Sequence, residues 1–143
     1  NLKRLQWLMS RFTGYVGITN LMGAKFEPTQ ASFVPVLEEV KARGLLFVDD
    51  GSVKDSAGGQ IASSIGLDFA TAGVQIDAVP SPDDINKALA RLEAVAKEKG
   101  SAIGIASAKP GTIKQLSQWA GQLQGKNIIL IPVSAAIRSQ RQS

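Results

Sequence analysis

Short, near-continuous apolar runs alternate along this chain with longer amphipathic stretches, and this alternation constrains the fold more than any other feature. Such runs are typical of strands buried on both faces, whereas the stretches between them repeat with the period of a helix. The runs predicted as strands are Tyr15–Thr19, Leu45–Asp49, Val74–Asp77, Ala102–Ala106 and Ile128–Pro132. Alternation of strands and helices predicts parallel pairing with right-handed crossovers. The predicted fold class is therefore α/β, with the strands in a doubly wound sheet or in part of a barrel.

The helix with the clearest ends is predicted at Pro82–Lys99. Ser81 has the position of an N-cap, Asp84 completes a capping-box pattern, and Gly100 supplies the C-terminal stop. Other helices are predicted at Leu2–Phe12, Phe33–Arg43, Ser56–Ile65 and Thr112–Gln124, and residues 135–143 are predicted to form a polar tail. Residues 1–143 are interpreted as a single domain. Because the chain begins on a helical pattern without an initiator Met, we expect it to be part of a larger domain.

The composition excludes several kinds of site, because the sequence contains neither cysteine nor histidine. Disulfides, thiolate metal sites, histidine-ligated zinc and Ser-His-Asp or Cys-His catalytic groups are therefore excluded within this chain. The net charge is +4 and aromatic residues make up 6% of the sequence, which does not predict a nucleic-acid partner. No apolar run approaches the roughly 20 residues that a membrane-spanning helix needs.

Polar or acidic residues follow each predicted strand. They are Asn20, Asp49, Asp50, Asp77, Ser107 and Ser134. Any one of them alone is better explained as the start of a loop or a helix cap, but the carboxyl ends of parallel strands form the functional edge of α/β folds. Together they predict a carboxylate-bearing rim. The adjacent Asp49 and Asp50 could hold a hard cation or orient a base, and the alternative is a simple Asp-Gly turn.

A series of short segments, taken in order, resembles the divergent polysaccharide deacetylase family. The segments are Gly14–Phe26, Arg43–Gly51, Ile76–Asp77, Gly100–Ile105, Lys109–Ile113 and Ile131–Ser134. Their order and spacing are similar to those of the second half of the family's domain, and they span nearly all of this chain. The resemblance implies that this chain is the C-terminal portion of a deformed (β/α) barrel of the polysaccharide deacetylase type.

The resemblance also implies a chemistry. Such enzymes use a divalent metal, typically held by one Asp and two His, to polarise an acetamide carbonyl and activate water. The family's Asn-His-Met-Gly pattern is Asn20-Leu21-Met22-Gly23 here, and its Gly-His-Pro pattern is Ala106-Ser107-Ala108. Leu21 and Ser107 thus replace both histidines. No metal ligand is assigned in this chain, and a divalent metal is expected only if residues upstream supply ligands.

Candidate site residues follow from the rim and the resemblance together. The candidate catalytic residues are Asp49, Asp50 and Asp77, and the candidate binding residues are Asn20, Ser107, Lys109, Thr112 and Ser134. They predict a polysaccharide deacetylase-like domain linked to carbohydrate metabolism. The alternative is a non-catalytic carbohydrate-binding or protein-interaction module on the same barrel, and whether the chain is an enzyme stays open.

The expected partners follow from the same reasoning. A polysaccharide or glycan is the expected ligand. Because half of a barrel exposes the edges of its sheet, we also expect either a homo-oligomer or pairing with a missing N-terminal half. A periplasmic or membrane-anchored location is implied by the resemblance alone.

Overall fold

The chain is a mixed α/β protein in which parallel strands alternate with helices. The computed structural model describes residues 1–21, 27 and 29–141, so Met22 and Gly23 of the Asn-Leu-Met-Gly segment and the last two residues of the predicted tail lie outside the described residues. The chain divides into two compact units, Asn1–Thr71 and Ala72–Ser143. Among the described residues, no helix combines the length and the apolar character needed to cross a bilayer.

The first unit contains, in chain order, α1 (Leu2–Met9), β1 (Gly17–Thr19), α2 (Gln30–Ala42), β2 (Leu46–Asp49), α3 (Gly58–Ile65) and β3 (Phe69–Thr71). Its sheet has the order β1-β2-β3, and both pairings are parallel. Side chains from all three helices and from β2 form the core. Phe47 belongs to this core and makes an edge-to-face contact with Phe33 at 5.7 Å and a stacked contact with Phe69 at 5.9 Å between ring centroids.

The second unit contains β4 (Val74–Gln75), α4 (Pro82–Lys99), β5 (Gly104–Ile105), α5 (Pro110–Gln122), a 3-10 turn (Leu123–Lys126) and α6 (Val133–Arg141). β4 and β5 pair in parallel, with Val74 opposite Gly104. The core consists of side chains from β4, α4, α5 and the 3-10 turn, and Trp119 belongs to it. In both units the strands are short, and their carboxyl ends lead into the loops that carry the polar residues discussed below.

The predicted α/β class and the alternation of parallel strands with helices are confirmed, and α4 begins and ends where the sequence predicts. The backbone N–H of Asp84 donates to the Ser81 hydroxyl at 3.2 Å, and Gly100 takes the left-handed conformation with φ of 82°. These contacts are local, which is why the sequence alone locates the ends of this helix.

Two segments differ from the sequence prediction. Ile128–Pro132 is not a strand in the structure, because among the described residues no strand pairs with this segment. The side chain of Ile129 is 81% exposed. Residues 135–141, assigned from the sequence to a polar tail, lie in α6, where Ala136 and Ile137 are buried. Spacing of three and four residues from Val133 places these apolar side chains on one face of the helix. The short strand β3 was not predicted from the sequence.

Gly17 lies opposite Leu46 where β1 pairs with β2. A Cβ atom built at Gly17 would lie 2.5 Å from the Leu46 carbonyl oxygen and would overlap the Leu46 side chain. We therefore expect Gly17→Ala to lower the free energy of unfolding by about 2–3 kcal/mol, because the strands must move apart to admit the methyl group. Urea denaturation followed by circular dichroism measures this change. Gly59→Ala is the control, since a Cβ there meets Phe69 at an ordinary 3.7 Å, and equal midpoints for the two variants would contradict the close approach.

Candidate functional site

Asn20 connects the residues that follow β1 and β2. Its Nδ2 donates to Oε1 of Glu27 at 2.5 Å and to Oδ1 of Asp50 at 3.1 Å, and its Oδ1 accepts from the backbone N–H of Asp50 at 2.7 Å. A side-chain amide suits this position because it supplies donors to two carboxylates and an acceptor to the backbone. Since β1 and β2 are parallel neighbours, the residues that follow them meet at one edge of the sheet.

Asp49 is the last residue of β2 and is 2% exposed. Its Oδ1 accepts from the backbone N–H of Gly51 at 2.9 Å, and its Oδ2 accepts from the Ser56 hydroxyl at 2.7 Å. Asp50 accepts from the backbone N–H of Ser52 at 2.8 Å. Carboxylates that bond the backbone two residues further on are typical of tight turns, and Gly51 has the positive φ of 72° that such a turn uses. Both acids therefore shape the turn after β2.

Glu27 belongs to this group of side chains, and sequence reasoning missed it. It is 1% exposed, and among the described residues its Oε2 has no hydrogen-bond partner. Burial raises the pKa of the Glu27 carboxyl; the hydrogen bond from Asn20 lowers it and the charge of Asp49 raises it, which leaves the pKa above its ordinary value. Glu27 follows no predicted strand and matches no motif, so no signal in the sequence marks it.

We expect Glu27→Gln to raise the free energy of unfolding by about 1 kcal/mol at pH 7. A neutral amide avoids the cost of burying a charged carboxylate of which only Oε1 accepts a hydrogen bond. A group whose folded pKa is raised stabilises the fold below its unfolded pKa, and this contribution is lost as the pH rises through the folded pKa. The gain should therefore shrink as the pH falls towards 4. Chemical denaturation between pH 4 and 8 measures it, with the exposed Glu38→Gln as control. A variant less stable than the parent at pH 7 would contradict this account.

Asp77 is the centre of a second group, in the second unit, and is 5% exposed. Both of its carboxylate oxygens accept from the backbone N–H of Ser107 at 3.1 Å, and Oδ2 also accepts from the Thr112 hydroxyl at 3.0 Å. Asp77 follows β4, Ser107 follows β5, and Thr112 lies in the first turn of α5. This carboxylate therefore ties the ends of two strands to the start of a helix.

Opposing influences act on the charge of Asp77. Burial raises the pKa of its carboxyl, but the hydrogen bonds from Ser107 and Thr112 and the charge of Lys109 outweigh burial, and the pKa lies below its ordinary value. Lys109 is exposed and directly precedes α5. Ser134 lies in the first turn of α6, outside this group. Of the predicted site residues in this unit, the structure thus brings Asp77, Ser107 and Thr112 into contact.

The described residues do not fit the divalent metal that the resemblance implies. Among them, no three acidic side chains are arranged to hold a metal ion. Asp49 and Asp77 direct both of their carboxylate oxygens to donors of the protein itself. Leu21, which the resemblance places at one histidine position, has no ligating atom and is 83% exposed. Ser107, which the resemblance places at the other, donates its backbone N–H to Asp77. Among the described residues, the carboxylates of these two strand-end acids therefore act as hydrogen-bond acceptors within the protein.

Two kinds of known protein are similar to this chain: a solved structure and the members of one family. No curated protein matches the chain. The chain is similar to the crystal structure of the uncharacterized protein ATU2773 from Agrobacterium tumefaciens C58, with 37% sequence identity and a TM-score of 0.93. This match covers 95% of the chain and spans 55% of the length of the Agrobacterium chain. The family model of the divergent polysaccharide deacetylases matches residues 1–137. The chain belongs to the divergent polysaccharide deacetylase family.

Proposed function

We propose that this chain is a carbohydrate-directed domain of the deacetylase type, which binds acetylated polysaccharide and does not hold a catalytic metal with its own residues. The observation that carries the proposal is that both strand-end acids, Asp49 and Asp77, use their carboxylate oxygens as internal hydrogen-bond acceptors. These bonds occupy part of the acceptor capacity of each carboxylate, and the burial of both side chains limits the access of a metal ion or a substrate to the rest. The replacement of both histidines, by Leu21 and Ser107, supports the same conclusion.

Glycan binding in this proposal relies on polar groups that stay accessible beside the buried acids. Ser107 and Lys109 are exposed in the second unit, and Asn20 and Asp50 are partly exposed in the first. Carbohydrates present many hydroxyl groups, and a small number of fixed polar groups is what orients a ligand of this kind. In the second unit, the hydrogen bonds that the backbone N–H of Ser107 donates to Asp77 hold the backbone of Ser107 in place.

Measurement of bound metal and of released acetate in one preparation tests whether this chain alone catalyses deacetylation. After dialysis against zinc, nickel and magnesium, we expect well under one metal ion per chain and no acetate from acetylated chito-oligosaccharides. About one tightly held metal together with released acetate would overturn this part of the proposal.

Glycan binding is tested with the same oligosaccharides by isothermal titration calorimetry. We expect measurable binding that Lys109→Ala weakens at least about tenfold, since one hydrogen bond to a charged group contributes about 1.5–3 kcal/mol. Lys114→Ala, a change of an exposed lysine on α5, serves as the control and should bind as the parent does. No heat of binding for the parent chain would overturn the glycan part of the proposal.

A second candidate function is hydrolysis in which residues outside this chain complete the site. Glu27 favours it, because a buried carboxyl with a raised pKa beside other polar groups is typical of general acids and bases. The test joins this chain to the part of the Agrobacterium chain that the match leaves out and measures acetate release. Release that Glu27→Gln abolishes and Glu38→Gln preserves would favour this candidate, and no release from the fusion would exclude it.

A further inference from the structure

A groove of about 210 Å³ lies between α4 and α5 in the second unit, and its lining consists of residues of these two helices and of the 3-10 turn. Each helix contributes side chains spaced three or four residues apart, which places them on the side that faces the other helix. They are Asn86, Ala90 and Glu93 from α4 and Gln115, Gln118 and Gln122 from α5. The candidate site residues at the strand ends do not line this groove.

Glu93 is held in the groove by two donors. Its Oε1 accepts from the indole Nε1 of Trp119 at 2.8 Å and from Nζ of Lys126 at 2.7 Å. The hydrogen bond from Lys126 holds the pKa of the Glu93 carboxyl below its ordinary value, so this carboxylate is ionised at neutral pH. Because the adjacent ammonium group balances its charge, the groove favours neither an anion nor a cation.

The remaining polar lining of the groove consists of the side-chain amides of α4 and α5. A side-chain amide offers N–H donors and a carbonyl acceptor, and three of these four residues are exposed and therefore accessible to a ligand. The buried side chains of Leu89 and Trp119 also line the groove and supply an apolar surface. Neutral donors and acceptors around an apolar surface suit a sugar ring, which carries hydroxyl groups on an apolar ring of carbon atoms.

We infer that this groove is a second glycan-binding site, which holds one uncharged sugar unit of a polysaccharide. Pockets for drug-sized molecules measure roughly 300–1,000 Å³, so this smaller groove has room for a single ring. The inference goes beyond the proposed function, because the residues of the groove differ from Ser107 and Lys109 at the strand ends. A polysaccharide that reaches both sites is held more tightly than by either site alone.

The indole N–H of Trp119 reports on the groove, because it donates to Glu93 there. In a Trp7→Phe background Trp119 is the only indole, so a nitrogen–proton correlation spectrum contains a single indole peak. Titration with acetylated chito-oligosaccharides is expected to move this peak to saturation. Neutral hydrogen bonds to one ring give a dissociation constant on the order of 1 mM, which leaves the calorimetric affinity to the strand-end site.

The outcomes separate this inference from the proposed function. Lys109→Ala is expected to leave the peak shift and its midpoint unchanged, and loss of the shift in this variant would assign the effect to the strand ends and overturn the inference. Heat of binding without a shift of the peak would overturn the inference and leave the proposed function standing. A peak that stays in place overturns the inference whatever calorimetry shows.

A matched pair of variants locates the site. Ala90 and Ala94 are both exposed on α4, but Ala90 lines the groove and Ala94 does not. Ala90→Leu fills the groove and is expected to raise the dissociation constant at least tenfold, whereas Ala94→Leu is expected to leave it unchanged. Equal effects of the two variants would overturn the inference.

A smaller change gives an independent measurement if the added leucine alters the packing of the helices. Gln118→Ala removes one amide of the groove and is expected to raise the dissociation constant about threefold, the loss of one neutral hydrogen bond. Gln124→Ala, at an exposed glutamine of the 3-10 turn that does not line the groove, is the control. Equal dissociation constants for the two variants would contradict the glycan site.

Discussion

Asp77→Ala is expected to lower the free energy of unfolding of the second unit by about 3 kcal/mol at pH 7. The change removes the acceptor of the Ser107 backbone N–H and of the Thr112 hydroxyl and leaves these donors without a partner. A hydrogen bond to a charged group contributes about 1.5–3 kcal/mol, and a buried donor left unpaired adds a comparable cost. The loss should be large because this one carboxylate connects β4, β5 and α5.

Urea denaturation followed by tryptophan fluorescence measures the effect in a Trp7→Phe background, which leaves Trp119 as the only indole. Trp119 lies in the core of the second unit and reports on its unfolding. Asp83→Asn, an exposed position in α4, is the control and should change the free energy of unfolding by less than about 0.5 kcal/mol. A loss no larger than that of the control would contradict the connecting role of Asp77.

The pH dependence of the free energy of unfolding separates the contribution of the Asp77 charge from that of its hydrogen-bond geometry. A carboxyl with a lowered pKa in the fold stabilises the protein above its unfolded pKa of about 3.9, and the contribution is lost as the pH falls through the folded pKa. Asp77→Asn keeps one acceptor oxygen and should cost about 1 kcal/mol at pH 7. Its difference from the parent should shrink below about pH 4, and a constant difference down to pH 2 would contradict the lowered pKa.

Asn20→Asp is expected to lower the free energy of unfolding by about 3 kcal/mol at pH 7. The substitution turns the Nδ2 donor into an acceptor that faces Oε1 of Glu27 and Oδ1 of Asp50, so two hydrogen bonds are replaced by repulsion between carboxylates. Asn20→Ala is the matched comparison, because it removes the same bonds without adding a charge, and about 1–2 kcal/mol is expected for it.

The Asn20→Asp deficit should also shrink as the pH falls, but here the cause is the repulsion between carboxylates in the variant. Crowded carboxylates have raised folded pKa values, so they stabilise the fold when protonated and lose this contribution as the pH rises. Denaturation followed by circular dichroism at pH 7, 5 and 4 should show the gap between Asn20→Asp and Asn20→Ala closing as the pH falls. A gap that stays constant or widens would mean that the three side chains do not interact as the structure places them.

Local sequence signals predicted the helices better than the strands. Ser81, Asp84 and Gly100 determine the ends of α4 through contacts within a few residues, and the prediction was accurate to the residue. Ile128–Pro132 has the apolar composition of a buried strand, yet a strand also needs a neighbour, and no described strand pairs with it. β3 shows the reverse case, since Phe69–Thr71 has a weak pattern and forms a strand because β2 lies beside it.

The candidate site was predicted in outline only. The rule that parallel strands end at a common edge pointed to Asn20, Asp50, Asp77 and Ser107, and the structure joins Asn20 with Asp50 and Asp77 with Ser107. It did not indicate Glu27, because the contact between Asn20 and Glu27 depends on how the chain returns to the sheet and not on any spacing. A role of these residues in catalysis or in binding stays a prediction.

The sequence by itself determined the α/β class, the alternation of parallel strands with helices and the absence of histidine and cysteine from this chain. These properties depend on composition and on periodicity, which are local. Only the tertiary structure decided that the carboxylates of Asp49 and Asp77 are engaged by donors of the protein and that Glu27 is buried beside Asn20. It also decided that β2, among the described residues, is the neighbour of both β1 and β3. Hydrogen-bond partners, burial and strand neighbours are set by residues distant in the chain, and no local pattern encodes them.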